Sequence, residues 1–305
     1  MNIPSQILKE NIIEYATKEL TFDECKFTSP FLNDELNEYR EWIQNEKIED
    51  MNYLKRHLPL KEDPTLLLKN AKTAIVLIKN YKNTSKKSLD TPYKIARYAV
   101  GTDYHYVIMD KLKKLDEFVK SKGNINTYYG VDSRPIADRS LAIQAGIGFR
   151  GKNTMIIRPK LGSYFFIAIM FLDIDLTFDS QLKGTCGSCT KCIEACPTKA
   201  LTSDGKMIVK NCISYKTIEH KTPLSNEEFK AYNGWVFGCD ICQEVCPFNH
   251  PSIPETNWDS LKPSSEVGFD FINRLKTENP PPSIPKKSPL YRSKKRLLEN
   301  IKLEL

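Results

Sequence analysis

The 305 residues are enough for one large domain or two ordinary ones, and 40% hydrophobic with 27% charged residues, 14 Phe and 14 Tyr exclude both a peptide scaffold and wholesale disorder. The net charge of +7 suggests an anionic partner without identifying it. The longest apolar run, Tyr164 to Leu172, is about half the length of a membrane-spanning helix, so no membrane role is expected.

The N-terminal stretch interleaves charges with apolar residues and lacks a cleavable export signal, which predicts a cytoplasmic chain with reduced cysteines. Helical apolar spacing covers Ile7 to Leu20 and Leu36 to Ile48, and the β-branched run Thr73 to Ile78 reads as a strand. A helix follows over Asp103 to Lys122, stopped by Gly123. Then come a strand at Ile125 to Val131, a helix near Ile136 to Ala145, a glycine-rich turn, and strands at Met155 to Ile157 and Tyr164 to Leu172. Residues 1 to 178 therefore read as one α/β (α+β) domain. Residues 179 to 250, with closely spaced cysteines and short polar connections, read as a small metal-organised module. The proline-rich stretch 251 to 305 is expected to lie extended over the surface before a last helix.

Eight of the nine cysteines lie between Cys186 and Cys246. Cys186-x2-Cys189-x2-Cys192-x3-Cys196-Pro197 has the spacing of a bacterial ferredoxin motif, in which three thiolates cap one cube and the fourth ligates another. A second motif, Cys239-x2-Cys242-x3-Cys246-Pro247, has Val236 where a first cysteine would stand, and Cys212 is the unused thiol nearby. Two [4Fe-4S] clusters result: Cys186, Cys189, Cys192 and Cys246 on one, Cys196, Cys212, Cys239 and Cys242 on the other. A pair of zinc sites is the competing reading, although zinc does not demand this spacing. Cys25 is left as a buried free thiol.

Gly146 to Lys152 matches two phosphate-loop patterns, yet a helix precedes and a strand follows, the reverse of what phosphate binding needs. Asp103-Tyr104-His105 begins a cobalamin-binding D-x-H-x-x-G pattern that fails at Ile108, so His105 reads as a helix-start residue. His57, His220 and His250 are assigned structural roles.

The segments VDSRP (131 to 135), AGIGFRGKNTMII (145 to 157), GSYFF (162 to 166), CGSCTKCIEACPTKAL (186 to 201), CISYKTIEHK (212 to 221) and FGCDICQEVCPFN (237 to 249) together closely resemble the epoxyqueuosine reductases. MNYLKRHL and IARYAVGTDYH fit as well, so the resemblance covers most of the chain. It implies a nitroreductase-like cobalamin-binding domain, a ferredoxin-like two-cluster module, and reduction of the epoxide on a queuosine-type wobble base of transfer RNA. By the same resemblance Asp132 is the proton donor, expected to have a raised pKa beside the corrin. Arg56, Arg97, Lys152, Asn153, Ser163 and Ser214 are implied cobalamin contacts. An external low-potential donor (flavodoxin, ferredoxin or similar) and a monomer are also implied. The basic residues Lys286, Lys287, Arg292, Lys294, Lys295 and Arg296, with Tyr291 as a stacking platform, are the expected tRNA contact. A corrinoid reductive dehalogenase of small molecules and a non-enzymatic electron carrier are the alternatives.

Overall fold

The computed structural model describes residues 4–32, 35–45, 49–83, 93–249, 252–264 and 266–301. His250 and the ends of several loops lie outside them. In chain order the elements are α1 (Ser5–Glu14), β1 (Glu24–Thr28), α2 (Glu35–Asn45), α3 (Tyr53–Glu62), β2 (Thr73–Asn80), β3 (Lys94–Ile95), α4 (Tyr104–Lys120), β4 (Thr127–Val131), α5 (Asp138–Gln144), β5 (Phe149–Arg150), β6 (Ile156–Ile157) and β7 (Phe165–Leu172). The second half carries α6 (Lys191–Ala195), α7 (Ile213–Ile218), α8 (Asn226–Ala231), β8 (Trp235–Phe237), α9 (Ile241–Glu244), α10 (Phe271–Thr277), α11 (Pro289–Arg292) and α12 (Lys294–Ile301).

Four strands form the main sheet in the order β1-β2-β7-β4, every neighbouring pair antiparallel. Strand periodicity sends alternate residues to opposite faces. Ile75 and Leu77 of β2, with Phe27, Ala168 and Met170, pack under α1 (Leu8, Ile12) and α4 (Ile108, Leu112, Leu115). Ala74, Val76 and Ile78, with Ile169 and Phe171, pack against α5 through Leu141 and Ala142. Helices on both faces explain why β2 and β7 are apolar throughout rather than alternating. Each fully buried aliphatic side chain contributes about 1.5–3 kcal/mol.

Contacts cross the expected boundary at residue 178. β3 pairs in parallel with β8, and Trp258 and Leu261 enter the first core. Residues 252–301 are also more than an extended strap, which corrects the expectation drawn from their prolines. Phe271, Ile272, Leu290, Leu297 and Ile301 bury themselves with Tyr93, Ile95, Val236 and Phe237 in one shared core, and the segment forms three short helices. A further small cluster joins Tyr39, Trp42 and Tyr53 of α2 and α3 to Val209 and Tyr215 beside the cysteines. The described residues contain no helix long and apolar enough to cross a membrane.

Candidate active site and cluster centres

The short helices α6 and α9 pack together and bring the two cysteine motifs face to face. The thiols sort by their electrostatic partners. Cys192 is repelled by Cys186, Cys246 and Cys189, and Cys246 by Cys186 and Cys189. Cys239 is repelled by Asp240, Cys212 and Cys196, and Cys242 by Cys239, Cys212 and Asp240, with Cys192 of the first quartet a lesser contributor. All are free thiols. Burial first, and then this mutual repulsion, pushes the Cys239 thiol up to about 12 and Cys192 and Cys246 upward as well. Groups of thiols that resist becoming thiolates fit sites where bound metal supplies the compensating charge.

The glycine-rich turn after α5 reaches this module directly. The Lys152 backbone N–H donates to Cys186 Sγ at 3.4 Å, and Lys152 Nζ donates to the carbonyls of Gly187 (2.9 Å) and Cys189 (3.1 Å). Buried Asn153 donates to the Cys242 carbonyl at 3.3 Å. Ser163 Oγ accepts from Gln243 and Asn249, each at 3.0 Å. The Arg97 backbone N–H donates to Asp240 at 2.8 Å, while its side chain faces Glu244 at 3.3 Å and donates from Nη1 to the Asn83 carbonyl at 2.7 Å. Four expected corrin contacts thus sit in the seam between the sheet domain and the cysteine module. Arg56 lies on the exposed side of α3, and half-buried Ser214 lies in α7.

Asp132 follows β4 with a left-handed backbone, φ +48°, a conformation aspartate tolerates better than most residues and one that marks functional loops. Its Oδ2 accepts from Tyr104 Oη at 2.7 Å and faces His105 Nε2 at 3.3 Å. His105 Nδ1 lies 2.7 Å from Oδ1 of Asp103, which is itself only 1% exposed and caps α4 through the His105 N–H. The protein's own groups set the direction here. The surrounding protein alone would raise the Asp132 pKa, but the bonds from His105 and Tyr104, with the charges of His105 and Arg139, hold it below the ordinary value. His105 goes the other way. Burial lowers it, yet its bonds to Asp103 and Asp132 outweigh that and raise it. Sequence spacing locates His105 at the helix start but does not reveal this bond, because its partner follows another strand.

Several more titratable groups surround Asp132 without touching it. Tyr53 feels Glu219 and Asp132, and Lys61 feels Asp138, Arg139 and Asp132. Burial raises the carboxyls of Asp138 and Glu219 and lowers the Lys61 ammonium. These side chains come from α3, α5 and the end of α7. At the rim, Thr154 Oγ1 is buried without a partner, and the carbonyl of the same residue faces Arg139 at 3.5 Å. Ionisable groups of α3, α5 and the end of α7 thus stand within electrostatic reach of Asp132.

The basic segment docks beside the acid. The Lys287 carbonyl accepts from the Asp103 N–H at 2.6 Å, and Arg292 Nη1 lies 2.8 Å from His105 Nε2. Lys286, Lys287, Arg292, Lys294 and Lys295 are exposed, and Lys294 lies over the Tyr291 ring at 4.5 Å. Arg296 is instead folded back on Glu299 at 3.4 Å.

Residues 185–249 match the family described as a 4Fe-4S double cluster binding domain, and residues 61–133 match "Epoxyqueuosine reductase QueG, DUF1730". An epoxyqueuosine reductase of Cellulophaga algicola is 38% identical over 248 residues, covering 81% of each chain. That of Bacillus subtilis is 37% identical over 276 residues, 84% of this chain and 70% of the relative. Among solved structures, an epoxyqueuosine reductase with an epoxyqueuosine-modified tRNA-Tyr stem loop aligns over 99% of this chain and 83% of that one, at 32% identity and a TM-score of 0.78. A Bacillus subtilis structure whose catalytic aspartate loop is swung out of the active site aligns with a TM-score of 0.75, at 30% identity, over 99% of this chain and 83% of that one.

Proposed function

The chain belongs to the epoxyqueuosine reductase family, and on that premise we propose that it reduces epoxyqueuosine to queuosine at the wobble position of a transfer RNA, the last step of queuosine synthesis. The observation that carries this reading is the hydrogen-bonded set Asp103, His105, Tyr104 and Asp132, within electrostatic reach of Glu219 at the end of the helix that follows Cys212. Turning an epoxide into an alkene consumes two electrons and two protons and releases the oxygen as water. Cobalamin, if bound here, would supply strongly reducing chemistry, and the eight cysteines would hold the two clusters that furnish its electrons singly.

The chain's own residues supply the rest. Asp132 delivers a proton to the departing oxygen. Because its own pKa is low, the proton resides on His105, whose bond to buried Asp103 holds the imidazole upright and favours its charged form. Delivery through Asp132 keeps the donor on a loop that relatives can swing away from the site. Tyr53, Lys61, Arg139, Glu219 and Thr154 border the cofactor and the flipped nucleoside, together with Arg56 and Ser214. Arg97, Lys152, Asn153 and Ser163 act one layer back, fixing the cluster module against the corrin domain. The basic face of Lys286, Lys287, Arg292, Lys294 and Lys295 takes the phosphates of the anticodon stem-loop. Arg296 contributes charge more weakly because Glu299 already engages it. Turning a loop base out costs only a few kcal/mol. The protein works as a cytoplasmic monomer fed by a flavodoxin- or ferredoxin-like donor.

The test is anaerobic reconstitution with iron, sulfide and cobalamin, followed by an assay on epoxyqueuosine-containing transfer RNA. Conversion is expected, with Asp132→Asn lowering turnover about 10²–10⁴-fold while RNA still binds. Full activity of that variant would remove Asp132 as the donor, and cofactor loading without conversion by the wild type would sink the substrate assignment.

A further inference from the structure

We propose that Lys152 tunes the cluster held by Cys186, Cys189, Cys192 and Cys246, its backbone N–H and its ammonium stabilising the reduced form of that cluster relative to the other; this rests on the two-cluster reading above. When a cluster accepts one electron it gains one negative charge, and no bond breaks and no proton moves. Hydrogen bonds to its sulfurs and nearby positive charge therefore raise its potential.

Lys152 supplies both. Its N–H points at Cys186 Sγ, and its Nζ bridges two carbonyls of the loop that carries Cys186 and Cys189. Its side chain lines the same pocket as Cys186, Cys189, Cys192 and Cys246. At the other quartet the buried side chain between Cys239 and Cys242 is a carboxylate, Asp240, 1% exposed, with the Arg97 Nε 3.9 Å from it. A cation over one cluster and a carboxylate beside the other make the first the easier to reduce. Asn153, bonded to the Cys242 carbonyl, ties the lysine-bearing turn to the second quartet and holds its position relative to both.

The experiment uses the full chain with both clusters reconstituted and cobalamin left out, titrated anaerobically while EPR follows each cluster. Lys152→Met keeps the length of the side chain and removes its charge. Two reductive transitions are expected in the wild type. In the variant, one of them is expected to need at least a tenfold stronger reducing poise, 59 mV downward for a one-electron couple, while the other stays put. Lys152→Arg should restore the original value. An unmoved transition in a variant with full iron content overturns the proposal. A variant that keeps only half its iron also overturns it, because Lys152 would then staple the loop instead of setting the potential. A wild-type chain that takes up no cubes fails earlier, at the two-cluster reading itself.

Discussion

If the quartets are drawn correctly, pairs of cysteine substitutions should lose iron in a pattern that chain order does not suggest. Cys246 lies four residues beyond Cys242, yet the thiols that act on it are Cys186 and Cys189, whereas those that act on Cys242 are chiefly Cys239 and Cys212, with Cys192 after them. Wild-type protein should hold about eight irons and Cys246→Ala about four, since each cube carries about four. Adding Cys186→Ala to Cys246→Ala should cost nothing more, because both residues serve the same cube. Adding Cys242→Ala should empty the second cube too and leave about none. Alanine is preferred to serine here, whose hydroxyl can replace a thiolate as a ligand. The readouts are iron and sulfide content and the EPR signal of the reduced protein. Far-UV circular dichroism shows whether the main sheet, which has its own two-faced core, is intact. The reasoning is refuted if the Cys186/Cys246 pair empties both sites while the Cys242/Cys246 pair retains four irons. That result would put Cys246 with its chain neighbours.

Two other expectations follow from the groups around the acid. His105 is raised above its ordinary pKa, so its proton is in place at low pH and is lost as pH rises through the raised value. His105→Gln keeps a donor toward Asp132 but stores no proton. Its kcat should fall about 10²–10⁴-fold near neutrality and lose the alkaline limb assigned to His105, with KM for RNA little changed; an unaltered pH profile would show that His105 only props the loop. Arg292→Gln removes a cation that now opposes protonation of His105, so the alkaline limb should move upward. The same change should reduce the salt slope of RNA binding by about 0.7–0.9, and an identical slope would mean that Arg292 meets no phosphate.

What is legible in the chain alone is chemistry carried by local spacing. The cysteine motifs are of this kind, and so are β2 and β7, whose residues are apolar on both faces because helices cover both. Helix α3 is harder to see, since Pro59 interrupts it and Lys55, Arg56 and His57 dilute its apolar stripe. β1 is masked in the same way by Glu24 and Lys26 between buried Cys25 and Phe27. In the C-terminal stretch the prolines obscure Phe271, Leu290 and Leu297, which are too widely spaced in sequence to register as one core. Lys152, Asn153, Ser163 and Arg97 lie within the motifs that carry the resemblance, and membership in a motif does not reveal that these residues bond to the cysteine module.

The acid shows most clearly where local reasoning stops. An aspartate beside a large buried ligand ought to be hard to ionise, and desolvation does act on Asp132 in that direction. The sign is reversed by Tyr104 and His105, held on α4 by the Asp103 cap, and the same cap accepts the strand of chain that carries Lys287 and Arg292. The residue after β4, the first turn of α4 and the basic C-terminal segment must all be in place before the proton has a definite address. On the proposed reading, RNA phosphates that met Arg292 would act on the charge next to His105, and so on the proton it holds.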